Sequence, residues 1–201
     1  MIVIGLTGSI GMGKSTTAGL FAEQGIPVND ADQVVHDLYR GQAVAPIQAV
    51  FPEVIVNGVV DRQRLSENLA KNPANFKRLE SIVHPLVRAC EADFLARNRK
   101  LGEPIALLDI PLLFETGAEA RVDKVVVVSC AEQVQRQRVM ARSGMTKEKL
   151  DLILSRQLPD ADKRARADYV IDTGQGIDKA REQVKTILEE LRGKLARDDH
   201  A

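Results

Sequence analysis

Residues 6–21 read LTGSIGMGKSTTAGLF and follow the apolar run MIVIG. A glycine inside a strand or helix costs about 0.5–1 kcal/mol relative to alanine. Gly8, Gly11 and Gly13 therefore need a purpose that a side chain would defeat. A bound phosphate supplies one. Residues 8–15, GSIGMGKS, fit G-x-x-x-x-G-K-[ST], placed after a run of strand length and before a stretch of helical period. The glycines let the backbone curl so that successive N–H groups point inward as an anion nest, with the positive end of a helix behind them. Gly11, Met12 and Gly13 form the turn of that nest, Lys14 brings a cation to the β and γ phosphates, Ser15 brings a hydroxyl to Mg²⁺, and Thr16 reaches the α phosphate.

Outward from this loop, β-branched apolar runs at 2–7, 26–30, 104–110, 124–129 and 168–173 lack polar alternation, as strands buried on both faces do. Helical periods fill 15–24, 31–40, 61–100, 131–143, 146–157 and 178–196, with a break expected at His84-Pro85. Strand-helix-strand repetition predicts an α/β, three-layer fold: a five-stranded parallel sheet with helices on both faces. Over seventy residues separate the second and third strands, too many for one crossover helix. The expected organisation is one domain, with a core of 1–40, 101–130 and 165–201, a helical insertion at about 41–100 that turns at Asn57-Gly58, and an arginine-rich helical lid at about 131–164. The tail ARDDHA reads as a frayed end.

The 28 basic and 28 acidic side chains cancel, so no overall positive field favours nucleic acid or an anionic membrane. Cys90 and Cys130 stand far apart with no Cys/His cluster, which argues against a zinc site or a disulfide scaffold and agrees with a reducing compartment. No run approaches the roughly 20 apolar residues of a membrane span. The sequence reads as a soluble, cytoplasmic protein, and it is silent on oligomeric state.

In open α/β sheets ligands gather at the carboxyl ends of strands. Asp30 and Asp32 follow the second strand, where each is either a helix cap or a carboxylate facing phosphate and acceptor. Asp109 ends IALLD, which has the shape of a Mg²⁺-holding segment. Leu112, Leu113 and Phe114 beyond it are either an acceptor wall or core. Arg138 and Arg142, four apart, share a helix face and are either solvated or brought onto the transferring phosphoryl group.

Taken in order, GLTGSIGMGKST, DAD at 30–32, NGVVDRQRL, HP at 84–85, DIPLLFE, VDKVVVV, QRQRVMAR and ADYVIDT resemble the dephospho-coenzyme A kinase family over nearly the whole chain. The resemblance implies ATP-dependent phosphorylation of the ribose 3′-hydroxyl of dephospho-coenzyme A, the last step of coenzyme A synthesis. It implies Asp32 as general base, Lys14 with Arg138 or Arg142 on the phosphoryl group, and acceptor contacts from the region of His84 and Arg88. Leu113 joins the expected acceptor wall, and Ser15 with Asp109 the expected metal ligands. Thr173 departs from the asparagine common there in the family. A kinase for another small acceptor would share these parts. A nucleotide-binding switch is the other rival, although SCAEQ stands where a guanine-reading N-K-x-D would.

Overall fold

The structure is a computed structural model that describes residues 1–72 and 74–198. The chain runs β1 (Ile2–Thr7), α1 (Lys14–Glu23), β2 (Val28–Asp30), α2 (Ala31–Leu38), α3 (Val44–Val50), β3 (Ile55–Val56), β4 (Val59–Val60), α4 (Arg62–Lys71) and α5 (Ala74–Lys100). It continues through β5 (Ile105–Asp109), β6 (Lys124–Ser129), α6 (Glu132–Met140), α7 (Lys147–Leu154), α8 (Asp160–Ala165), β7 (Tyr169–Asp172) and α9 (Ile177–Asp198). Pro73 and the end of the tail, 199–201, lie outside the described residues.

β2, β5, β1, β6 and β7 form, in that order, a five-stranded parallel sheet. β1 therefore sits between β5 and β6, with Leu6 opposite Asp109 and Val126. The second strand of the chain is not the neighbour of the first, because β5 is inserted between them. β6 shows why the sheet has three layers. Val126 and Val128 enter a core with Leu20 and Phe21 of α1 and Val184 and Leu188 of α9, whereas Val125 and Val127 enter another with Leu113, Phe114 and Ala118. Successive strand side chains point to opposite faces, so an unbroken valine run needs cover on both.

Packing divides the chain into two units, Met1–Asn29 with Asn98–Ala201, and Asp30–Arg97. The second has its own core, with Ile47, Phe51 and Val54 fully or almost fully buried and the Arg78 guanidinium 5.5 Å over the Phe51 ring. The break expected at His84-Pro85 does not occur: α5 passes through Pro85. A mid-helix proline removes one hydrogen bond and costs about 3 kcal/mol. Pro85 itself is exposed, while Leu79, Ile82, Val83, Leu86, Val87 and Cys90 keep a single apolar stripe in phase on either side of it. Burying that continuous face outweighs the local loss.

Candidate active site

The glycine loop lies where its spacing predicts, between the buried β1 and α1. Gly13 is the residue preceding α1, at φ 89°, and no side chain caps the helix there. The first N–H groups of a helix lack intrahelical acceptors, so the amino end of α1 keeps its donors and its positive dipole for an anion. Gly11, at φ 79°, is also left-handed, and a Cβ there would collide with Val139 of α6. Gly8 differs from expectation. It is not left-handed, and its lack of a side chain serves close packing, since a Cβ would lie 2.8 Å from the Val128 carbonyl oxygen. Met12 is buried, with its Sδ accepting the Cys130 N–H at 3.2 Å, so only its backbone faces the nest.

Lys14 Nζ meets Asp109 Oδ1 at 2.5 Å. β5 pairs with β1 up to Leu6↔Asp109, which places the carboxylate beside the start of the loop. Ser15 and Thr16, on the first turn of α1, are exposed. Among the described residues no group of three or more His, Cys, Asp or Glu side chains could hold a metal ion.

The shared helix face expected for Arg138 and Arg142 does not form, because α6 ends at Met140 and leaves Arg142 in the bend beyond it. Both line a cleft of about 270 Å³ with Gly13, Thr16, Thr173 and Gly176. Their contacts differ there. Arg138 donates from Nη1 to Thr173 Oγ1 at 3.0 Å and from Nη2 to the Thr173 carbonyl at 2.7 Å, while Arg142 is exposed. The Thr173 hydroxyl donates in turn to the Met12 carbonyl at 2.8 Å. The departure at Thr173 thus joins the phosphate loop to Arg138. Burial pushes the neighbouring Cys130 thiol up from its ordinary pKa, against the opposing pull of the Arg138 charge.

Asp30 caps α2, its Oδ1 accepting the N–H groups of Asp32 and Gln33 at 2.8 and 3.2 Å. Asp32 itself is exposed on the first turn of α2, in the second unit. His84 and Arg88 are exposed on α5 of the same unit, four apart and so on one face. Leu113 corrects an expectation. It is fully buried, packed with Phe114, Ala118 and Val127 beneath the sheet, and so is a core residue and no acceptor wall. Leu112 is the exposed member of that run.

Several residues were not singled out in the sequence. Glu115 takes the Leu158 N–H at 2.7 Å and pairs with the fully buried Lys163 at 2.9 Å. Burial would raise the Glu115 carboxyl, but that N–H and the ammonium more than offset it and hold the pKa below the usual range. Gln135 and Gln157 bond the backbone of Ile10. No spacing rule announces such contacts. The one available signal is an amide at a position of α6 that helical period would give to the core.

A phosphate-binding turn after the central strand is common to many nucleotide enzymes. With arginines presented from the helix that follows the next strand of the sheet and from the bend past its end, it is the arrangement of the P-loop kinases, whose fold this chain has. The family model described as dephospho-CoA kinase matches residues 2–179. The dephospho-CoA kinase of Agrobacterium fabrum is 65% identical over 191 residues, 95% of this chain and 98% of that one. Among solved structures, TT1252 from Thermus thermophilus aligns with a TM-score of 0.82 at 38% identity, covering 94% of this chain and 97% of that one. A dephospho-CoA kinase from Campylobacter jejuni shares the fold, with a TM-score of 0.67 at 22% identity over 94% and 96% of the two chains. The chain belongs to the dephospho-CoA kinase family.

Proposed function

We propose a division of labour among the residues of this chain for the family's reaction, the phosphorylation of dephospho-CoA that completes coenzyme A biosynthesis. ATP is the phosphoryl donor. The backbone of residues 11–16 cradles the triphosphate, and Lys14, aimed by Asp109, neutralises charge on the phosphoryl group in transit. That transition state is loose, with charge spread over the equatorial oxygens, so alignment and neutralisation carry most of the acceleration. Arg138, held flat by Thr173, walls the nucleotide cleft. Arg142, with no such commitment, meets the phosphates.

Ser15 and Asp109 offer the hard oxygen donors that Mg²⁺ prefers, and a triphosphate-bound Mg²⁺ takes only one or two protein ligands. The donor set fits. Bound there, the ion supplies further charge neutralisation to the phosphates. The ribose 3′-hydroxyl of dephospho-CoA is the acceptor: its oxygen bonds to the γ-phosphorus, the bond to the β–γ bridging oxygen breaks, ADP leaves, and Asp32 takes the hydroxyl proton. His84 and Arg88 hold the acceptor. No helix among the described residues is long and apolar enough to cross a membrane, and we assign the reaction to the cytoplasm with small molecules as its partners.

The observation that carries this reading is the uncapped amino end of α1 directly behind left-handed Gly13, with Lys14 held at its mouth. The test of the base is Asp32→Asn. Turnover is expected to fall by about 10² or more, the range of general-base contributions, with ATP affinity unchanged. Near-normal turnover removes Asp32 from that role.

A further inference from the structure

We propose that Gln157 and Gln135 are positioning residues for the phosphate loop, gripping one of its residues from opposite sides. Ile10 donates its N–H to Gln157 Oε1 at 3.1 Å, and its carbonyl accepts from Gln135 Nε2 at 2.8 Å. Both partners are remote in sequence, 147 and 125 residues away. Gln135 is buried on α6, and Gln157 is half-buried just past α7.

The gripped residue lies between Ser9 and left-handed Gly11 and two residues from Gly8, in a glycine-rich turn. Fixing such a segment costs conformational entropy. If nucleotide alone fixed it, that cost would be subtracted from affinity. Two side-chain hydrogen bonds made beforehand remove it from the binding step. The Ile10 N–H is thereby assigned to protein, while the N–H groups at the start of α1 are left for phosphate.

Gln157 is itself well anchored. Leu158 donates its N–H to Glu115, Asp160 accepts from Ser129 Oγ at 2.7 Å, and Lys163 pairs with Glu115. The segment 157–163 is thus fastened to the chain just past β1, at Ile10, just past β5, at Glu115, and at the end of β6, at Ser129. With Gln135 on α6, the helix that carries Arg138, it holds Ile10 from two separate elements.

The inference rests on the phosphate-loop reading above. Its test uses Gln157→Leu, Gln135→Leu and the double variant, with ADP affinity by calorimetry, KM for each substrate, and amide exchange at Ile10 in nucleotide-free protein. ADP dissociation and KM for ATP are expected to rise about tenfold in each single variant, the scale of one net hydrogen bond. KM for dephospho-CoA stays unchanged, and Ile10 exchange quickens in Gln157→Leu. The double variant loses less than the product of the singles, since either loss frees the same residue. Wild-type ADP affinity in the variants, equal rises in both KM values, or unaltered Ile10 exchange overturns the proposal. If Gln135→Leu fails to fold, Gln157→Leu decides alone. Wild-type protein that binds no ADP overturns the phosphate-loop reading and this inference with it, an outcome distinct from loss of the grip.

Discussion

Lys14 Nζ lies 2.5 Å from Asp109 Oδ1, joining the last residues of the phosphate loop to the end of the neighbouring strand β5. The carboxylate is 1% exposed and the lysine side chain 13%. An ion pair this sheltered loses little to solvent screening, and removing one partner leaves a charge with weaker compensation in a dry place. Lys14→Met is expected to destabilise the protein by about 3 kcal/mol, and Asp109→Asn added to it should restore part of the loss. Urea unfolding of the two variants checks this. Equal midpoints for wild type and Lys14→Met would mean the pair aims the lysine without stabilising the fold.

The two cleft arginines should separate kinetically. Arg138→Lys gives up the planar fork that bonds both Thr173 oxygens, and Thr173→Val gives up the hydroxyl. Each should raise KM for ATP by roughly 3- to 10-fold, the worth of a net hydrogen bond, and leave kcat within about twofold. Arg142→Ala should instead lower kcat by about 10², as loss of one transition-state charge contact does. Steady-state kinetics on the three variants that return the opposite pattern would exchange the roles assigned to the arginines.

Glu115 predicts a pH-dependent stability. Its folded pKa is held below the unfolded value, so its contribution is complete above the unfolded carboxylate pKa and disappears as pH falls through the folded one. Glu115→Gln should therefore be markedly less stable than wild type at pH 7, with Lys163 left buried beside a neutral amide. The gap should close in acid, where the wild-type carboxyl is protonated too. Denaturant titrations at several pH values measure it, and a gap that stays constant down to acid would show that charge is not the cause.

The readable parts of this molecule were those whose cause is local. Glycines before a lysine, an apolar run before a turn, and valines without alternation each depend on a few adjacent residues, and all fall where they were expected. Proline misled at Pro85, which sits inside α5 because its local penalty is outweighed by the apolar stripe buried on either side of it. Strand order was illegible because chain order does not state which strand slips between β1 and β2. Leu113 could be wall or core until the sheet showed which face it covers. The arginines were visible as a pair four apart, but the bonds that hold Arg138 and not Arg142 come from Thr173, 35 residues from Arg138.

The central claim is that the amide nest and Lys14 hold ATP for transfer to dephospho-CoA. Its most direct measurement is the release of ADP by wild type and by Lys14→Ala, each with and without dephospho-CoA. The account predicts one ADP per dephospho-CoA consumed by wild type, and turnover lower by about 10² to 10³ in the variant, the scale of a lost transition-state charge contact. ADP release indifferent to dephospho-CoA, or a Lys14→Ala variant that turns over like wild type, would contradict it.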